Sequence, residues 1–148
     1  MQKERVLLQN QRGFSLIEIL IVMSLIAIAG TFVMNKLFDR MTEGNIKATT
    51  IQISGFKQLL EDYRRYCSQY PTTEQGLEAL VAKPTTAPDC PNYPASGFLG
   101  SGSKIPNDPW NHPYIYESDG KNFTITSYGN DGKENGEGFD KDIKSNEI

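Results

Sequence analysis

Hydrophobic and polar residues divide the chain into an apolar run near its start, a long amphipathic segment and a mixed carboxy-terminal part. The apolar run extends from Phe14 to Met34 and would be roughly 32 Å long as a helix. Because the hydrocarbon core of a bilayer is about 30 Å thick, the run predicts a membrane-spanning helix over residues 14–34. A secretory signal peptide is the rival interpretation, but its apolar region would be shorter and would lead to a cleavage site of small residues.

The amphipathic segment, residues 35–70, is predicted to continue this helix. Apolar and small residues recur there at alternating spacings of three and four, which places them on one face. They are Ile46, Thr49, Ile53, Phe56, Leu60, Tyr63, Cys67 and Tyr70. We interpret this stripe as the side of the helix that packs on a core. Pro71 is expected to end the helix, because a residue before proline is pushed out of helical geometry.

Residues 71–148 are predicted to form a small globular head. Thr72 and Gln75 have the spacing of a capping box, which predicts a short helix that stops before Pro84. A surface loop rich in Pro, Ser, Thr and Gly follows to residue 102. Residues 114–116 and 123–126 favour β geometry, and the Asp-Gly pair between them predicts an antiparallel β-hairpin. The predicted fold class is therefore α+β.

Charge and cysteine content limit where the chain is expected to lie and which classes of function it can have. Lys and Arg before the apolar run favour a cytoplasmic amino terminus, so the head would lie outside the cytoplasmic membrane. There a disulfide between Cys67 and Cys90 is favoured over two buried thiols. The formal net charge of −3 has the wrong sign for a nucleic-acid-binding protein. An enzyme is disfavoured, because phosphate-loop and nucleophile motifs are missing and His112 has no Cys or His at metal-ligand spacing.

One carboxylate, Glu18, interrupts the apolar run. A charge in lipid is costly and marks a functional residue by default; alternatively, Glu18 lies near the membrane interface and favours the helix N-terminus. Residues 13–18, GFSLIE, resemble the processing site G-F-[ST]-L-x-E of type IV pilins and pseudopilins. The resemblance implies that a prepilin peptidase removes a leader, residues 1–13, by cutting between Gly13 and Phe14. It also implies methylation of Phe14 and pairing of Glu18 with the amine of a neighbouring subunit during assembly.

Two further segments make the resemblance more specific. Residues 70–80, YPTTEQGLEAL, and residues 108–114, DPWNHPY, are similar to segments of the major pseudopilins of type II secretion systems, the GspG family. The resemblance implies a type IV pilin-like fold and a single-pass protein of the bacterial inner membrane with a periplasmic head. It also implies a homopolymeric filament, the pseudopilus that drives protein export. Minor pseudopilins and the inner-membrane secretion platform would be its partners. A type IV pilin or minor pseudopilin is the alternative, and a membrane-anchored binding module that never polymerises is a third possibility.

The acidic, Gly-rich tail offers candidate metal ligands. Carboxylates on a loop that glycine allows to turn sharply suit a hard cation such as calcium, although such tails are also found as solvated loops. The GspG family has a calcium loop in which L-G-x-D-G is followed by D-I, and residues 128–143 are similar to it. The resemblance implies calcium ligands from the side chains of Asp131, Asp140 and Asp142 and the carbonyls of Tyr128 and Lys133, with Glu134 and Glu137 as spare candidates.

Overall fold

The computed structural model describes residues 13–100 and 102–148, so the predicted leader lies outside the described residues except for Gly13. Contacts divide the chain into an amino-terminal unit that ends at Asp39 and a globular unit, Arg40–Ile148. The elements in chain order are helix α1 (Leu16–Cys67), a 3₁₀ helix (Leu77–Leu80), strands β1 (Ile115–Ser118) and β2 (Phe123–Ser127), a second 3₁₀ turn (Gly138–Asp140) and strand β3 (Ile143–Lys144).

The amino-terminal unit contains the apolar start of helix α1. Its large apolar side chains, from Phe14 to Met34, are 46–79% exposed. By length and composition the helix is apolar enough to cross a membrane, with a mean hydropathy of 2.5 in its most apolar window. The hydroxyls of Ser24 and Thr31 donate hydrogen bonds to carbonyls of the preceding turn. Their polar groups are thereby satisfied within the helix, as an apolar environment requires.

The core of the globular unit is built on the amphipathic face of helix α1. Ile53 and Leu60 are fully buried and Tyr63 is 2% exposed. They form one cluster with side chains from the 3₁₀ helix and the sheet, namely Leu77, Leu80, Tyr114, Tyr116, Ile125 and Ile143. This burial confirms the predicted core stripe. Each buried large apolar side chain contributes roughly 1.5–3 kcal/mol to stability.

Helix α1 ends at Cys67, which is earlier than the Tyr70 end expected from Pro71. Ser68 adopts the left-handed conformation, with a φ of 68°, and its N–H donates to the carbonyl of Arg64 at 2.7 Å. This left-handed turn ends the helix at Cys67, several residues before Pro71. Tyr70 is still buried, but it reaches the core from the segment that follows the helix.

The capping pair predicted at Thr72 is present, although the helix after it is shorter than expected. The N–H of Gln75 donates to Thr72 Oγ1 at 3.3 Å, and the N–H of Thr72 donates to Gln75 Oε1 at 3.1 Å. Gly76 then has a φ of 63°, and only the 3₁₀ helix follows. Gln75 Nε2 also donates to the carbonyls of Thr86 and Pro88, so this side chain holds the Pro-rich loop.

The sheet consists of three antiparallel strands in the order β1-β2-β3. The predicted hairpin pairs Ile115 with Thr126 and Ser118 with Phe123. Its turn is held by Asp119 Oδ1, which accepts backbone N–H groups at 2.8 and 2.7 Å. Strand β3 adds to β2 through the pairing of Ser127 with Ile143. These strands and the helices confirm the predicted α+β class.

Cys67 and Cys90 form the predicted disulfide. The bond ties the end of helix α1 to the Pro-rich loop, in which residues 84–100 form neither helix nor strand. The same loop packs Tyr93 and Phe98 against Tyr63, with ring centroids 6.3 and 5.3 Å apart. The disulfide therefore fixes a segment that has few backbone hydrogen bonds of its own.

Loss of the disulfide should destabilise the globular unit. The cysteines are 23 residues apart in sequence, and closing a loop of this size is worth about 3 kcal/mol in the chain-entropy model. We expect the Cys67→Ser, Cys90→Ser double variant to melt well below the oxidised wild type when followed by circular dichroism. A reductant should lower the melting temperature of the wild type alone. Equal melting of the two proteins before reduction would contradict this expectation.

Alkaline pH should destabilise the globular unit through Tyr116. Burial raises the pKa of Tyr116 from 10.0 to about 12, and its hydroxyl donates to the carbonyl of Pro71 at 2.8 Å. Because the folded-state pKa lies above the unfolded value, this stabilisation is complete below pH 10 and is lost as the pH rises to about 12. The Tyr116→Phe variant should show a shallower loss of unfolding free energy over that interval, whereas Tyr66→Phe, at an exposed position, should follow the wild type.

Candidate functional site

The predicted processing site lies just before helix α1. Gly13, Phe14 and Ser15 have no regular secondary structure and are exposed. The helix begins at Leu16 and places Glu18 in its first turn, where it is exposed among apolar side chains. The peptide bond between Gly13 and Phe14 is thus exposed and outside the helix, and the carboxylate of Glu18 follows in the first turn of helix α1.

The tail loop, residues 128–142, begins directly after strand β2 and ends directly before β3. It makes sharp turns at Gly129, with a φ of 61°, and at Gly132, with a φ of 65°. Residues with side chains rarely adopt this conformation, whereas glycine does so at no steric cost. The predicted carbonyl ligands, Tyr128 and Lys133, each lie next to one of these glycines.

Asp131 and Asp140 lie on the outer part of the tail loop. Asp131 is exposed, and its Oδ1 accepts the N–H of Lys133 at 3.1 Å. Asp140 is half-buried, and its Oδ1 accepts a hydrogen bond from Asn130 Nδ2 at 2.8 Å. Within residues 13–100 and 102–148, no three His, Cys, Asp or Glu side chains are grouped so that they could hold a metal ion. The three predicted aspartates are therefore not gathered into one cluster.

Asp142 differs from these two aspartates because it is buried, with 7% of its surface exposed. Its Oδ2 accepts the N–H of Asn135 at 3.1 Å. Its Oδ1 has no hydrogen-bond partner among the described residues, although it is shielded from solvent. A buried carboxylate oxygen without a partner costs several kcal/mol. A cation at this oxygen would remove that cost.

The backbone of the tail loop approaches itself closely at two of its glycines. A Cβ atom at Gly136 would lie 1.9 Å from the carbonyl oxygen of Asp140, and one at Gly129 would lie 3.1 Å from that of Lys141. Only glycine permits the first approach. The fold thus brings Gly129 and Gly136 against carbonyl oxygens near the end of the loop. Carbonyl oxygens are a ligand type that calcium takes in addition to carboxylates.

Charge in the tail loop is predominantly negative. The pKa of Tyr128 is raised by partial burial and, further, by the nearby charges of Glu134, Asp142 and Glu117. Glu134 and Glu137 are themselves exposed. The unpartnered oxygen of Asp142 and this negative charge are features that a divalent cation would compensate.

Sequence reasoning did not assign a role to the residues that fasten the tail loop to the rest of the globular unit. Asp108 is 4% exposed, and its carboxylate accepts hydrogen bonds from the backbone N–H of His112 and the hydroxyl of Ser127. The ring of His112 in turn contacts Gly129. The signal available in the sequence was the DPW segment itself, in which an aspartate before proline is typical of a turn.

Comparison with known protein families identifies both the amino-terminal segment and the rest of the chain. Residues 8–34 match the family model of the prokaryotic N-terminal methylation motif, and the exposed apolar helix fits a membrane-anchored pseudopilin. Residues 36–146 match the model of protein G of the type II secretion system. The chain therefore belongs to the type II secretion system protein G family, as the resemblance implied.

Individual relatives agree with this assignment. The type II secretion system core protein G of Vibrio cholerae is 37% identical over 138 residues, which cover 92% of each chain. That of Pseudomonas aeruginosa is 37% identical over 137 residues, covering 91% of this chain and 94% of the relative. The crystal structure of the major pseudopilin from the type 2 secretion system of enterohaemorrhagic Escherichia coli is similar with a TM-score of 0.62 and 34% identity. It covers 73% of this chain and 91% of the other.

Proposed function

We propose that this chain is a major pseudopilin, a structural subunit that polymerises into the pseudopilus of a type II secretion system. The observation that carries the proposal is the apolar start of helix α1, whose large side chains are 46–79% exposed from Phe14 to Met34. A surface of this kind has to be covered by lipid or by other helices. A subunit that is stored in the membrane and then packs with copies of itself meets that requirement in both states. The family membership favours this function over a type IV pilin or a minor pseudopilin.

Maturation is proposed to begin at the bond between Gly13 and Phe14. Its position before the helix leaves the bond accessible to a membrane-embedded prepilin peptidase, and cutting it would create an amine at Phe14. Glu18 would pair with this amine on a neighbouring subunit, because a carboxylate in an apolar filament needs a compensating cation. Methylation of Phe14 would leave that amine positively charged.

The head is proposed to lie in the periplasm, with the helix anchored in the inner membrane before assembly. Basic residues ahead of the apolar run favour this orientation, and a disulfide suits the oxidising side of the membrane. The inner-membrane secretion platform and minor pseudopilins would be the partners in assembly. No enzymatic role is proposed: the single histidine in the sequence, His112, is engaged by a backbone carbonyl.

The tail loop is proposed to bind calcium. Asp142 would be the central ligand, since its Oδ1 is buried and needs a positive partner. Asp131 and Asp140 would be added from the outer part of the loop, with the carbonyls of Tyr128 and Lys133. Calcium would supply the charge that compensates the buried carboxylate, and it would connect the two ends of a loop that leads into strand β3.

Removal of the charge at Glu18 should abolish filament formation while leaving the membrane anchor intact. We expect Glu18→Ala and Glu18→Gln to insert in the inner membrane but to yield no filaments, as judged by shearing of cells that overproduce the protein and by immunoblotting. Ser24→Ala is the matched control, because the Ser24 hydroxyl is already bonded to the carbonyl of Leu20. Normal filaments from Glu18→Ala would contradict the assembly role of this charge. Absence of filaments from the wild type would instead favour a membrane-anchored module that does not polymerise.

Calcium should stabilise the wild type and not the Asp142→Asn variant. Ligand that binds only the folded state at 100 times its Kd adds about 2.7 kcal/mol to stability. We expect the melting temperature of the full chain in detergent to rise with calcium and to fall with a chelator. The ranking of the two proteins should reverse in chelator, because asparagine removes the uncompensated charge.

The control for this experiment is Asp62→Asn, which changes an aspartate paired with Arg65 on the exposed side of helix α1. It should respond to calcium as the wild type does. Identical melting of the wild type in calcium and in chelator would contradict calcium binding.

A further inference from the structure

Four hydrogen bonds form a closed ring between the DPW segment and the start of the tail loop. Its first half is centred on the buried carboxylate of Asp108. Oδ1 accepts the backbone N–H of His112 at 2.8 Å, and Oδ2 accepts the hydroxyl of Ser127 at 2.5 Å. A carboxylate with two such donors is held in one orientation and makes the stronger, charge-assisted kind of hydrogen bond.

The second half of the ring passes through Gly129. Its N–H donates to Ser127 Oγ at 3.2 Å, and its carbonyl oxygen lies 3.0 Å from Nδ1 of His112. A carbonyl can only accept, so Nδ1 must carry the proton in this contact. Both backbone groups of Gly129 are therefore used, and the imidazole is the side chain that closes the ring.

The imidazole also sets the path of the tail loop by direct contact. A Cβ atom at Gly132 would lie 2.9 Å from Cε1 of His112, so the loop at Gly132 runs against the ring. Gly129 on the other side is packed on the carbonyl oxygens of Asp140 and Lys141. His112 is thus in contact with the loop at two glycines that flank Asp131.

We propose that His112 is a positioning residue that holds the tail loop in the conformation that binds the divalent cation. His112 holds the carbonyl of Gly129, the residue that directly follows Tyr128. Its ring also fixes the path of the loop at Gly132. The proposal rests on calcium binding as proposed above. Residues that orient metal ligands in this way typically change metal affinity 10–100-fold when mutated.

The test compares His112→Ala with His112→Asn in the full chain in detergent. Alanine removes the donor, whereas the amide nitrogen of asparagine is attached at the same Cγ position as Nδ1. We expect calcium titration to give a Kd at least about 10-fold weaker for alanine and a value close to that of the wild type for asparagine. Lys121→Ala, at an exposed position in the hairpin turn, is the control and should bind as the wild type does.

A second readout does not depend on the metal. In chelator, limited proteolysis should nick the tail loop of His112→Ala faster than that of His112→Asn or the wild type, while melting temperatures before cleavage identify any global unfolding. Equal calcium affinity and equal nicking of the alanine variant would overturn the positioning role. If the wild type binds no calcium, calcium binding is overturned, and the proteolysis comparison still decides whether His112 holds the loop.

Discussion

Burial of one face of helix α1 is the interaction on which the globular unit depends. Ile53 and Leu60 are inaccessible to solvent, and the 3₁₀ helix and the sheet supply the side chains that cover them. The strands of the sheet are only 4, 5 and 2 residues long, so the sheet depends on packing against the helix. It persists because its inner side chains, such as Ile125, complete the cover of this helix. The disulfide and Gln75 then hold the Pro-rich loop in place beside the same core.

The chain presents apolar surface in two ways, and the difference is functional. In the globular unit the apolar residues of α1 form a stripe that the same chain covers. In the amino-terminal unit they surround the helix, and the chain itself leaves them exposed. A helix that is apolar on all sides is suited to lipid or to a bundle of similar helices. The chain itself therefore covers the apolar stripe of the globular unit, whereas lipid or similar helices have to cover the amino-terminal unit.

Local sequence patterns predicted the core stripe, the hairpin and the apolar run, because these depend on residues close together in sequence. The end of α1 was misplaced, since the left-handed turn at Ser68 has no glycine to indicate it. The hydrogen bond of His112 was missed for a different reason. Its partner, Gly129, is remote in sequence, and only the fold brings them together. For the tail, the family motif selected candidate ligands, whereas the burial of Asp142 and the exposure of Asp131 could not be deduced from composition.

The disulfide makes the stability of the globular unit depend on the compartment in which it is found. A copy whose head stays in the reducing cytoplasm would keep Cys67 and Cys90 as thiols and would lack about 3 kcal/mol of stabilisation. A loss of that size is a large part of the total stability of a small domain and raises the fraction available to proteases. Only subunits whose heads have crossed the membrane would then reach full stability, so the oxidised form would mark the exported state of the head.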